Sequence, residues 1–162
     1  MMQSNEKRDM YRMMCAQVEA LTEGCSLPLP ALANCAALLW DSLDRINWAG
    51  FYLLKEETLY LGPFQGKIAC TMIPVGRGVC GTAAALREIQ LVPDVHQFPG
   101  HIVCDSASNS EIVLPLVVDG QLIGVMDIDS PKIARFDNDD AEGLAALCSA
   151  LCAAVEWKDG LL

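Results

Sequence analysis

Three cysteines, Cys70, Cys80 and Cys104, stand among glycine, proline, aspartate and serine in the middle of a 162-residue chain. That company is unusual for a thiol whose only task is to fill a core as a small hydrophobe. A deprotonated thiol is a nucleophile, and a second thiol within reach can capture the oxidised first one as a disulfide. Three carboxylates follow them: Glu111, Asp127 and Asp129. The two aspartates are two apart in the strand-like run GVMDID, so both point to one face. Glu111 lies in the neighbouring run SEIVLPLVV, close enough for the three acids to approach one another. Crowded carboxylates raise one another's pKa, leaving one protonated near neutrality while an ionised neighbour can hold a cation. Trp48 and Tyr52, four apart, share a face of an earlier strand. Ordinary explanations exist for each group: incidental loop thiols, a solvated hairpin face, core aromatics. Residue types alone do not choose between them.

The elements that must position these residues are legible in outline. Tyr11, Met14, Cys15, Val18 and Leu21 recur at helical spacing and predict a first amphipathic helix ending near Gly24. After SLPLP, the residues Leu32, Cys35, Leu38, Leu39 and Leu43 predict a second. WAGFYLL, a polar KEE turn and TLYLGPF read as a β-hairpin, and CTMIPV as a third strand. GRGVCGTAAAL reads as a loop opening a short helix. From Glu88 to Asn109 the composition predicts mostly loop, and so long an ordered loop is usually functional. SEIVLPLVV and QLIGVMDID flank Asp119-Gly120, a strong hairpin signal. Asp137 or Asn138 can cap a last helix through AEGLAALCSALCAAVEW, with Phe136 placed as a hydrophobic staple. Strands joined by hairpins imply an α+β fold: a central antiparallel sheet with helices on one face and a loop-covered pocket on the other. One domain is expected over 1–162, with helices in 1–46, sheet and site loops in 47–131 and a final helix over 136–158.

Composition narrows the classes. Hydrophobic residues make up 52% of the chain, enough for a packed core. No apolar run reaches the roughly 18 residues of a membrane span, and the N-terminus lacks the apolar core of a signal peptide. A cytoplasmic protein is expected. The formal net charge of −10 disfavours nucleic acid and anionic membranes as partners, and favours small ligands carrying an ammonium group. Five of the 8 cysteines, Cys15, Cys25, Cys35, Cys148 and Cys152, lie in or beside helix-like segments, where packing explains most of them.

The stretches NWAGFYLL, LGPFQGKIACTMIPVGRGVCGTAA, VPDVHQFPGHIVCDSASNSEIVLPLV and GVMDIDSP closely resemble the free methionine-R-sulfoxide reductase family. The resemblance runs from Asn47 to Pro131, and the flanking helices fit the GAF domain on which that family is built. It implies Cys104 as the thiol that attacks the sulfoxide sulfur, Cys70 as the thiol that resolves the sulfenic acid, and Cys80 as a third family cysteine with an open role. It implies Glu111, Asp127 and Asp129 as the acids that protonate the oxygen and hold the substrate ammonium, and Trp48 and Tyr52 as pocket walls. It further implies a thioredoxin-recycled disulfide and no cofactor; the oligomeric state is left open, with the apolar last helix permitting the terminal-helix homodimer common among GAF domains. The residues suit that chemistry, because sulfoxide reduction by a thiol needs a nucleophile, an acid and a resolving thiol.

Two other classes compete. A stand-alone GAF sensor for a small ligand such as a cyclic nucleotide would need phosphate contacts where this chain places acids. A redox switch or zinc-binding structural protein would use the cysteines with His96 and His101. No CxxC occurs, the intervals match no zinc finger, and the histidines read as structural loop residues. GRGVCG lacks the lysine of a P-loop and is not GxGxxG, so it gives no support to nucleotide binding.

Overall fold

Alternation along the central strands sorts their side chains onto two faces, and the computed structural model shows how each face is covered. It describes residues 4–157; residues 1–3 and 158–162, including the last position of the expected final helix, lie outside the described residues. The order is α1 (Ser4–Thr22), α2 (Pro28–Ser42), β1 (Trp48–Lys55), β2 (Thr58–Gly66), β3 (Met72–Pro74), α3 (Gly78–Leu86), β4 (Gln90–Val92), β5 (Ser110–Val118), β6 (Gln121–Ser130) and α4 (Asn138–Ala154). The strands form one sheet in the order β3-β2-β1-β6-β5-β4. Every neighbouring pair is antiparallel, and β1 pairing with β6 joins the N-terminal hairpin to the C-terminal one.

One face carries Ala49, Phe51 and Leu53 of β1, Ile112, Leu114 and Leu116 of β5, and Met126 and Ile128 of β6. These pack with Leu32 and Leu39 of α2 and Leu144 and Leu151 of α4 into the main core. The other face carries Trp48, Tyr52, Val113 and Val125, which pack with Val79, Cys80 and Ala83 of α3. The short helix read from GRGVCGTAAAL therefore sits on the pocket face with the loops, opposite the three longer helices. The stretch expected as loop from Glu88 to Asn109 contains β4 and a 3-10 turn at Val95–Gln97. A strand of three residues is too short to show a period, and only its pairing with β5 defines it.

α1 and α4 are locked together by buried charge. Asp137 caps α4: its Oδ1 accepts from the Asp140 amide at 3.0 Å, and Asp140 Oδ2 accepts from the Asp137 amide at 2.9 Å. Asp140 is fully buried and also receives Lys7 Nζ at 2.8 Å, the Tyr11 hydroxyl at 2.7 Å and Arg135 Nη1 at 3.4 Å. Phe136 is buried beside the cap, and the Arg135 guanidinium lies over its ring at 5.2 Å. Gly143 lets the helices close, since a Cβ there would collide with the Tyr11 ring.

Removing the anion leaves Lys7 and Arg135 with only the more exposed carboxylates of Asp137 and Asp44, and breaking a buried ion network by removing one partner is costly. Asp140→Asn should lower unfolding stability by about 3 kcal/mol, read as a fall in the urea midpoint with an unchanged slope. A loss no greater than that of an exposed substitution would mean the network is neutral.

Candidate active site

Register decides which side chains meet on the pocket face. In β5 and β6, Glu111 pairs with Asp129 and Val113 with Asp127. In β1 and β6, Trp48 pairs with Asp129 and Gly50 with Asp127. The three acids and Trp48 are thus cross-strand neighbours, while Ile112 and Ile128 between them turn to the main core. The two-residue spacing of Asp127 and Asp129 does what the sequence implied. Glu111 and Asp127 are each only 6% exposed, and Asp129 is half-buried. They line a cleft of about 520 Å³, part of it open to solvent, together with Trp48, Tyr52, Arg77, Cys80, His101 and Cys104.

Burial without a neutralising cation sets the electrostatics. Desolvation, and then the proximity of Asp127 and Asp129, hold the Glu111 carboxyl well above its ordinary pKa. Asp129 is raised well above by desolvation and by Asp127. Asp127 is pushed up by desolvation to about 6, held back by hydrogen bonds from Cys80 and Glu111. The three acids share their protons as one coupled cluster, which keeps at least one of them protonated near neutral pH. The Cys80 thiol is buried, is raised well above its usual range by desolvation and these acids, and donates to Asp127 Oδ2 at 3.2 Å. Asp127 Oδ1 is buried and has no hydrogen-bond partner among the described residues.

The aromatic wall is held by backbone. Trp48 Nε1 donates to the Lys67 carbonyl at 3.2 Å, and the Tyr52 hydroxyl to the Cys70 carbonyl at 3.0 Å. Trp48 stacks on Tyr52 and on Phe64, with centroids 5.8 and 5.2 Å away. Both tethers run to the segment between β2 and β3 that carries Cys70. Cys70 and Cys104 form a disulfide, Cα to Cα 5.7 Å, within the span a bridge allows. Cys104 is exposed and Cys70 half-buried, whereas Cys80 stays a free thiol beneath them.

Several residues that sequence reasoning passed over hold this arrangement. Asn47 Nδ2 donates to Asp105 Oδ2 at 3.1 Å and to Ser108 Oγ at 3.0 Å, fastening the loop after Cys104 to the start of β1. Asp105 Oδ1 also accepts from the Ala107 amide, and these bonds lower its pKa. The carboxylate beside Cys104 is thereby spent on the loop. Gly78 has φ +63°, and Ile102 lies 3.1 Å from where its Cβ would stand, so the loop before Cys104 rests on the first turn of α3. His101 Nε2 lies 3.9 Å from Glu111 Oε2. His101 and Arg77 are in the cleft, which no local pattern announces; His96 is exposed and bonds Asp94. The helical cysteines behave as read: Cys35 and Cys148 are buried, Cys15 and Cys152 half-buried, and Cys25 is exposed.

The GAF domain model matches residues 18–155. The free methionine-R-sulfoxide reductase of Escherichia coli K12 is 57% identical over 145 residues, 90% of this chain and 88% of that one. The solved structure of Staphylococcus aureus fRMsr in its reduced form superposes with TM-score 0.87 at 49% identity, over 90% of this chain and 95% of that one. The free methionine-R-sulfoxide reductase from Neisseria meningitidis in complex with its substrate gives TM-score 0.87 at 44% identity, over 91% and 89%.

The raised acids tie stability to pH with a definite sign. Their native pKa values exceed the unfolded ones, so the native state binds more protons. Stability then falls as pH rises from the ordinary carboxylate range through about 6. Asp127→Asn and Glu111→Gln remove that penalty. Each should raise stability at pH 8 by about 1–3 kcal/mol, with the gain shrinking towards pH 4. Thermal melts across this range are the measurement; no gain at pH 8 would mean the acids are solvated.

Proposed function

The chain belongs to the GAF-domain free methionine-R-sulfoxide reductase family, and we propose that it reduces free L-methionine-(R)-S-oxide to methionine with Cys104 as nucleophile and Cys70 as resolving thiol. The observation that carries this reading is a disulfide that joins Cys70 to Cys104, a cysteine lining the same cleft as Glu111, Asp127 and Asp129.

The steps follow from the groups in place. The Cys104 thiolate attacks the sulfoxide sulfur, and a protonated acid of the cluster, Glu111 or Asp129, gives its proton to the oxygen. The oxygen passes to Cys104 as a sulfenic acid and methionine leaves. The Cys70 thiol attacks the Cys104 sulfur, water departs, and the disulfide closes. A thioredoxin dithiol then restores both thiols by exchange, so no resident cofactor is required. Cys80 remains protonated and holds Asp127 by its S–H.

Substrate recognition divides in the same way. Ionised Asp127, with its unpartnered Oδ1, receives the ammonium. Gly78 and Val79 of the α3 first turn line the cleft beside Arg77, and first-turn amides, which have no intrahelical acceptors, suit the carboxylate. Trp48 bounds the S-methyl group. The Tyr52 hydroxyl, bonded to the Cys70 carbonyl in the disulfide form, turns to the sulfoxide oxygen when Cys70 withdraws. The protein works in the cytoplasm as a homodimer through its terminal helices; among the described residues no helix is long and apolar enough to cross a membrane.

Cys104→Ser should form no methionine even in a single turnover, whereas Cys70→Ser should release about one equivalent in a burst and then stall with thioredoxin. Substantial single-turnover activity without Cys104 sinks the assignment. Free R substrate should be used, and the S epimer and an N-acetylated, C-amidated R form refused by about 10⁴-fold, since blocked termini leave the site's polar groups unpaired. Equal turnover of free and blocked forms would point instead to peptide repair.

A further inference from the structure

Four separate elements bring metal-ligating donors to the floor of the cleft: Cys80 from α3, His101 from the loop before β5, Glu111 from β5 and Asp127 from β6. One donor atom each of Cys80, Glu111 and Asp127 lies within 4.8 Å of the others, and all three residues are buried. Cys80 Sγ stands 3.2 Å from Asp127 Oδ2 and 3.9 Å from Glu111 Oε1. A tetrahedral zinc ion, with bonds of about 2.3 Å to sulfur and about 2.0 Å to oxygen, holds its sulfur and oxygen donors about 3.5 Å apart. The two observed separations bracket that value. His101 Nε2 stands 3.9 Å from Glu111 Oε2, outside this three-donor group, and would have to turn inward to supply a fourth donor.

Two further observations point to a cation here. Asp127 Oδ1 is buried and unpartnered, so the carboxylate keeps lone pairs for a ligand. Among the described residues, the basic side chains lining the cleft are Arg77 and His101, against Glu111, Asp127, Asp129 and Asp105, the last of which also has Lys67 at 3.7 Å. No short motif marks the site, because its ligands meet only through the sheet and α3. That is why zinc-finger spacing is absent from the sequence.

We infer that the disulfide form binds one zinc ion through Cys80, Glu111, Asp127 and His101. The mixed sulfur, nitrogen and oxygen set suits zinc or cobalt and discriminates against magnesium and calcium. The ion would occupy the acids that the proposed reaction needs, so it is an inhibitor and not a resident cofactor. The binding claim itself does not rest on the reductase reading.

The test is a cobalt titration of the oxidised protein without reductant, where Cys70 and Cys104 are closed to metal. One equivalent should bind with a thiolate-to-cobalt charge-transfer band and the visible bands of tetrahedral cobalt. Zinc should displace it and magnesium should not. Cys80→Ser should abolish the charge-transfer band. Glu111→Gln and His101→Gln should each weaken binding by at least about 10- to 100-fold, since even the loss of a group that merely supports a metal ligand has an effect of that order. No band with cobalt in excess overturns the proposal. So does an unchanged band in Cys80→Ser, which would place the metal on Cys25 or the helical thiols. Should Cys80→Ser fail to fold, unchanged affinity in both other variants overturns it equally.

Discussion

The crowding of three carboxylates on one patch of sheet beneath the buried thiol of α3, with no lysine lining the cleft among the described residues, is the constraint that organises the rest of this molecule. Water would separate and ionise such groups, and the protein withholds it. Desolvation is the largest influence on Glu111, Asp127, Asp129 and Cys80 alike. Holding them together requires backbone that cannot relax. The register of β1, β6 and β5 supplies it, because each acid sits opposite a partner on the adjacent strand. The shared protons that result are a consequence of geometry, and they turn ordinary carboxyls into acids usable near neutral pH.

The opposite face of the same strands supplies the rigidity. Alternate residues of β1, β5 and β6 point into the apolar layer under α1, α2 and α4, and that layer is closed by the charged knot around Asp140. The two faces thus exchange roles. A stable apolar core fixes strands whose other side carries unfavourable polar burial. Such division is common where function needs local instability.

Much of this was readable from the chain. The Asp119-Gly120 hairpin, the capping of α4 at Asp137 and the shared face of Asp127 and Asp129 are local, set by turn chemistry and by the two-residue period of a strand. The face of each acid could be read, but whether that face was wet could not. Periodicity carries no information about what covers a strand. The bonds from Lys7 and Tyr11 to Asp140 join residues 133 and 129 positions apart. Asn47 reaching Asp105 and Ser108, His101 beside Glu111, and α3 folded onto the pocket face are equally non-local. β4 escaped notice because three residues have no pattern. Tyr52 is a wall of the cleft, as the resemblance implies, and the bond from its hydroxyl to the Cys70 carbonyl is again non-local.

The bridge between Cys70 and Cys104 ties together the two segments that roof the cleft, one tethered through Trp48 and Tyr52, the other through Asn47. Oxidation state therefore decides how far those two segments can part, while the cleft beneath them stays partly open to solvent. In the proposed cycle each turnover ends in this bridged form, and the thiols must be regenerated before Cys104 can attack again. Under an oxidative surge the exposed Cys104 sulfur is then already capped against further oxidation.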